Sequence, residues 1–262
     1  MVAFDSNIFN SRLQTQFLGR QLIYLNEVDS TNSYLKSRPI DELNHGSLCI
    51  SDAQLQGRGQ YKREWLTESG QNLTWSFILK PDEHDRLFML TLAFIYSAAE
   101  VIQAMTGLQT QLKWPNDLMI QDKKVGGVLA ETVFNGNQLD RCIIGIGINV
   151  NQASFPPELP QASSLFQLSQ RLYSREELLA EITHRSEQAY LQWQQRDRQL
   201  VKHINEKLIG YGEQVHIQLD GFDIEGSKLM LGVNTSGHLH MMDEDYTVHT
   251  YAYEQVRVFP TH

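Results

Sequence analysis

At 262 residues the chain can hold one large domain, or a large and a small one. Its 22 basic and 31 acidic side chains give a net charge of −9, and 41% of its residues are hydrophobic. That balance suits a soluble globular protein and disfavours general attraction to nucleic acid or anionic lipid.

The first 28 residues lack a basic start followed by an apolar run and a small-residue cleavage site. In Asp29-Ser30-Thr31-Asn32, Ser30 reads as the N-cap of a short helix that ends near Lys36. Residues 47–53 and 73–79 are apolar and β-prone, so both are expected strands. Between them lies Gly57-Arg58-Gly59-Gln60-Tyr61-Lys62-Arg63. Its glycines let backbone approach a ligand closely, and Arg58 can grip phosphate or carboxylate with two hydrogen bonds. The spacing is not that of a Walker A loop. A hairpin with solvated basic residues is the plainer reading of the same segment.

Residues 86–105 carry apolar side chains at helical spacing, including Leu87, Leu90, Phe94, Ala98, Val101 and Ile102. No apolar stretch is expected to reach the roughly 18 residues of a membrane-spanning helix. Strands follow at 112–114, 118–121, 128–134 and 142–150, the last nearly all apolar, as for a strand buried on both faces. Lys113-Trp114-Pro115-Asn116-Asp117 ends the first of these in a proline turn that presents an amide and a carboxylate beside a cation. Lys124 and Gly126-Gly127 come shortly after. Gly145-Ile146-Gly147-Ile148-Asn149 fails as a dinucleotide fingerprint, because a proline-containing loop follows it rather than a helix.

Residues 175–207 read as a long amphipathic helical segment with room for an interruption. Short strands are expected at 215–219, 228–231 and 238–241, with a boundary near Leu208. The division is therefore a domain of 1–207 and a small module of 208–262. Cys49 and Cys142 fit no metal or redox spacing and read as buried thiols in a reducing compartment. The nine histidines form no metal pattern. The setting expected from these features is cytoplasmic.

The ordered set Asp29–Asn32, Gly57–Arg63, Lys113–Asp117 with Lys124, and Gly145–Asn149 resembles the biotin protein ligases. The resemblance implies an α+β fold: a mixed sheet with helices packed on it, like the class II aminoacyl-tRNA synthetases, followed by a small Src-homology-3-like barrel. It also implies ATP-dependent activation of biotin to biotinyl-5′-AMP, with Mg²⁺ accompanying the nucleotide, then transfer to a lysine of a biotin carboxyl carrier protein. Ser30, Thr31, Asn32, Gln54, Arg58, Gly59, Gln60 and Lys124 would contact biotin. Arg58, Arg63, Trp65, Lys113, Asn116 and Asn149 would contact ATP. Arg58, Lys113, Asp117 and Lys124 would carry the chemistry, with Asp117 accepting or positioning the proton of the acceptor lysine. No protein metal ligands are expected. Tyr61-Lys62 departs from the basic-then-glycine pair common in the family.

Three other readings compete. Lipoate ligases and octanoyltransferases share the fold but carry an Arg-rich, triple-glycine segment that is missing here. A biotin-responsive repressor needs a DNA-binding domain of roughly 60 residues, and 28 residues before Asp29 are too few. A non-catalytic biotin-binding module is disfavoured by Lys113, Asp117, Lys124 and Asn149.

Overall fold

The computed structural model describes residues 3–60, 64–81, 86–253 and 255–260. The first sheet has seven strands: β1 (Leu22–Val28), β2 (Leu48–Gln54), β3 (Leu73–Leu79), β4 (Thr110–Lys113), β5 (Asp117–Ile120), β6 (Lys123–Asn135) and β7 (Gln138–Ile148). Their spatial order is β1-β2-β3-β7-β6-β5-β4. The β1–β2 pair is parallel and the other pairs are antiparallel, so the sheet is mixed.

The helices are α1 (Ser6–Arg12), α2 (Thr31–Ser37), α3 (Leu87–Thr106), α4 (Leu165–Ser169), α5 (Arg175–Gln194) and α6 (Arg198–Lys207). The main core gathers side chains of α3 and α5 with Leu73, Trp75, Phe77 and Leu79 of β3 and Ile144, Ile146 and Ile148 of β7. On the other face α2 brings Leu35 onto Cys49, Ile78 and Ile143, a second, smaller cluster. Period-2 alternation explains the split: neighbours along β3 and β7 point to opposite faces. Thus β7 is buried on both sides at Ile143 and Ile144, as its composition suggests.

Helix α3 ends at Gly107, whose φ of 75° places it in the left-handed conformation. This helix does have the length and mean hydropathy (1.6) of a membrane-crossing segment, contrary to the sequence expectation. The reason is its position at the centre of the core, where 72% of that stretch is buried inside the protein. The long C-terminal helical segment is broken between α5 and α6 at Arg196, which has a φ of 56°.

The second sheet is antiparallel: β8 (Gln214–Leu219), β9 (Phe222–Asp223), β10 (Lys228–Val233), β11 (Leu239–Met242), β12 (Val248–Tyr251) and β13 (Val256–Pro260), ordered β12-β11-β10-β8-β13 with β9 on β8. Ile209 N–H donates to Leu112 O at 2.9 Å, and Leu208 bridges Leu112, so the chain enters this sheet along the β4 edge of the first. Strands β1, β9, β12 and β13 were not anticipated. In β1 most positions are half-exposed, so no clean alternation marks it.

Candidate active site

A cleft of about 1,100 Å³ crosses the sheet from β2 and β3 to β4 and is closed at its far side by β13. Ser30, Thr31, Asn32, Gln54, Arg58, Gly59, Gln60, Trp65, Lys113, Asn116, Asp117, Lys124 and Asn149 all line it. Arg63, with Tyr61 and Lys62, lies outside the described residues.

Over β2, β3 and β7 the start of α2 builds a polar cluster. Ser30 occupies the N-cap position with extended backbone but makes no side-chain capping bond, contrary to expectation. Gln54 substitutes for it: its Oε1 accepts from Thr31 N–H at 2.8 Å, taking one of the orphan donors of the helix start. Thr31 Oγ1 lies 2.6 Å from Ser76 Oγ, and Ser76 donates to Asn32 Oδ1 at 2.6 Å. Asn32 Nδ2 donates to Glu131 at 2.9 Å, and Arg58 Nη2 donates to the same carboxylate at 3.0 Å and to Ser33 Oγ at 2.8 Å. Thr31, Asn32 and Ser76 are each at most 4% exposed.

Ser76 and Glu131 escaped the sequence reading, because both lie inside segments read only as apolar strands. An acid within an otherwise apolar strand was the available signal.

The alternation in Gly145-Ile146-Gly147-Ile148 now has a physical cause. The isoleucines enter the main core, while the glycines face the cleft. A Cβ on Gly145 would lie 2.2 Å from Asn32 Oδ1, and one on Gly147 would lie 2.4 Å from the Trp65 indole. Both glycines therefore mark close approach of other side chains to the strand. Gly126-Gly127 divides between two roles. A Cβ on Gly126 would meet Ile148 Cδ1 at 2.4 Å, so this glycine serves strand packing, and Gly127 alone of the two faces the cleft.

The basic loop is held as a hairpin-like turn: Trp65 N–H donates to Gly57 O at 2.8 Å, and Arg58 bridges Glu64. The hairpin part of the plain reading and the place of Arg58 in the cleft therefore hold together, although Arg58 is bonded to Glu131 and Ser33 rather than simply solvated.

Over β4, β5 and β6, Lys113 and Asp117 sit opposite each other across the Trp114–Asn116 turn, and the Trp114–Pro115 peptide is cis. Lys124 Nζ contacts Asp117 Oδ1 at 2.5 Å, with both side chains about a third exposed or less. Lys124 Nζ also lies 5.8 Å from the Trp65 ring centroid, and Lys113 Nζ lies 5.9 Å from that of Phe259 on β13. Asn116 Nδ2 donates to Val128 O at 3.1 Å, and Asn149 Nδ2 donates to Ser163 O at 3.0 Å, so each amide has its N–H end tied to backbone. Ser163 N–H and Lys124 N–H bond Lys124 O and Gln161 O, which fastens the loop after the prolines onto β6. The module beyond Leu208 adds Ile209, Val256, Arg257, Val258 and Phe259 to the lining, none of them foreseen.

Electrostatically, this is not bare positive charge. Arg58 is paired with Glu131 and Lys124 with Asp117, so an entering anion meets two cations that already have a carboxylate neighbour. Elsewhere, burial pushes the Cys49 and Cys142 thiols up to about 12, so neither is a nucleophile near neutral pH.

A profile of the Biotin/lipoate A/B protein ligase family matches residues 24–149, the span that holds most of this cleft. The structure superposes on a biotin protein ligase from Aquifex aeolicus in complex with biotin and ATP with a TM-score of 0.79 and 31% identity, covering 91% of this chain and 99% of that one. The chain belongs to the biotin protein ligase family.

Among curated relatives, the bifunctional ligase/repressor BirA of Bacillus subtilis is 37% identical over 159 residues, 59% of this chain and 49% of that protein. A biotin–[acetyl-CoA-carboxylase] ligase of Mycobacterium tuberculosis is 28% identical over 222 residues, 80% of each chain. The chain spans about half the length of the BirA relatives it matches. As in other biotin protein ligases, the seven-stranded mixed sheet with its helices has the class II aminoacyl-tRNA-synthetase-like arrangement, and the curled C-terminal sheet is consistent with a Src-homology-3-like barrel.

Proposed function

We propose that this chain activates biotin with ATP to biotinyl-5′-AMP and transfers the biotinyl group to a lysine of a biotin carboxyl carrier protein or domain. The observation that carries this reading is the single cleft, which joins a hydroxyl-and-amide cluster at β2 and β3 to Arg58, Lys113 and Lys124. A cyclic urea offers two N–H donors and one carbonyl acceptor, which Ser30, Thr31, Asn32 and Gln54 complement. Gly59, Gln60 and Lys124 would hold the rest of biotin, with the carboxylate of its tail directed at Lys124. The nucleotide would lie toward β4 and β13, against Trp65, Lys113, Asn116 and Asn149, with Arg63 contributing from the loop.

Bringing a carboxylate to a triphosphate requires cancelling like charges. Arg58, Lys113 and Lys124 would do so and stabilise charge developing at the α-phosphate. Mg²⁺ enters with the triphosphate as part of the substrate and neutralises phosphate charge. Among the described residues no group of three His, Cys, Asp or Glu side chains could hold a metal ion.

In the second step an acceptor lysine of pKa ~10.4 is only about 0.04% neutral at pH 7, equivalent to roughly 4.6 kcal/mol. Asp117 is the carboxylate beside Lys124, and its ion pair favours a role in positioning Lys124 and the incoming amine. We place the module 208–262 as the far wall of the nucleotide end. Two free, buried cysteines support a cytoplasmic setting.

The test is pyrophosphate release with biotin and ATP, followed by labelling of a carrier domain, with lipoate and octanoate as competing acids. Biotin-dependent release and transfer are expected. Release driven by lipoate or octanoate instead would overturn the reading.

A further inference from the structure

We propose that Glu131 is a positioning residue that fixes the donor–acceptor polarity of the head-group end of the cleft. Thr31 then meets the ligand as an acceptor, beside Gln54, which donates because its own oxygen is held by the Thr31 backbone N–H. The inference rests on the biotin reading above and extends it to a residue that does not line the cleft.

The reasoning is a count of protons. A carboxylate offers only lone pairs, so Glu131 can face only the NH₂ end of the Asn32 amide, 2.9 Å away. That turns Asn32 Oδ1 toward Ser76, whose one hydroxyl proton must then go to Asn32 across 2.6 Å. Ser76 oxygen in turn accepts the Thr31 hydroxyl proton across another 2.6 Å. Thr31 has no second proton for Gln54 Oε1 at 3.1 Å, and that oxygen is satisfied instead by Thr31 N–H at 2.8 Å.

What remains for a ligand is set by this order. Thr31 Oγ1 has a lone pair to offer, and Gln54 has its NH₂. An acceptor beside a donor is the complement of a ring that carries N–H next to C=O.

Three further features hold the order in place. Ser76 is fully buried, and Thr31 and Asn32 are almost so, which keeps water from reshuffling the protons. Gly145 leaves the room that Asn32 needs, since a Cβ there would lie 2.2 Å from its Oδ1. Arg58 and, at 3.7 Å, Lys36 also contact the Glu131 carboxylate and hold it in place. In Glu131→Gln the side chain keeps a single acceptor oxygen, which Arg58 claims. An N–H is then turned toward Asn32, and the row of protons reverses.

The experiment compares binding of biotin with that of an analogue in which one ring N–H is replaced by oxygen, by calorimetry, for the wild type and the Glu131→Gln and Ser76→Ala variants. A site built around a ligand N–H rejects such an analogue strongly, and the wild type is expected to prefer biotin by about 100-fold or more. Both variants should narrow that preference to about fivefold or less. A purely structural role would weaken both ligands together and leave the ratio unchanged, which would overturn the proposal. Ser76→Ala cuts the row in the middle while leaving Arg58 its partner, so it decides the matter if Glu131→Gln does not fold. Failure of wild-type protein to bind biotin at all would count against the functional reading instead.

Discussion

The two faces of β7 differ by a one-residue step along the same strand, yet they do opposite things. Ile144, Ile146 and Ile148 fill the main core beneath α3, and Gly145 and Gly147 open the other face to Asn32 and Trp65. The core face depends on volume and tolerates any apolar side chain of about the right size. The cleft face depends on the absence of volume, because polar groups there must reach fixed partners. One β-strand thus couples stability to recognition, with Ile146 both in the core and at the cleft lining.

The strongest way to break that division is to add one methyl group on the cleft face. Gly145→Ala pushes against Asn32 and Gly147→Ala against Trp65. Displacement of such groups by about 1 Å is expected to lower adenylate formation roughly 100-fold. Circular dichroism should show the fold retained, and a pyrophosphate-release assay reads the loss. Unchanged activity in both variants would mean that the glycines are incidental.

A smaller effect is expected at the other end of the cleft. Asp117→Asn removes the partner of Lys124, and transfer from preformed adenylate should fall by about tenfold or more. Adenylate formation and transfer must be assayed separately, since unimpaired transfer would remove Asp117 from the second step. On the core face, Ile144→Val should cost about 1 kcal/mol in urea unfolding and leave turnover unchanged.

The gentlest probe is pH. Cys49 and Cys142 lie on opposite faces of the sheet, in the smaller and the main core respectively, and burial raises each thiol from 9.0 to about 12. The unfolded chain releases these protons above pH 9.0 while the folded chain retains them. Stability from this source is therefore complete below pH 9.0 and is lost as pH rises from there toward 12. Urea midpoints at pH 8.5 and 10.5 should show the decline, and a Cys49→Ala, Cys142→Ala variant should show less of it.

Much of the fold was visible in local pattern. Helix α3 and strands β2, β3 and β7 all follow from hydrophobic spacing and turn residues, while the break between α5 and α6 was allowed for but not placed. Strand β1 was not visible, because a half-exposed strand at the sheet edge shows no clean alternation. The cleft motifs were legible because glycine, proline and charge in one short segment are costly unless they serve a turn or a ligand. Glu131 and Ser76 were not, since their importance lies wholly in what faces them across 99 and 44 residues of chain.

By itself the sequence determined the strongly patterned elements, such as α3, β2, β3 and β7, and which side chains are suited to an activated carboxylate and a nucleotide. Those are properties of neighbours along the chain, set by period and residue chemistry. Tertiary structure alone decided that Arg58 and Lys124 each enter the cleft with a carboxylate partner, that Val256–Phe259 of β13 form its far wall, and that Glu131 orients Asn32. Hydrogen bonds and ion pairs are fixed by distances of about 3 Å, and only the folded sheet sets such distances between residues so far apart in sequence.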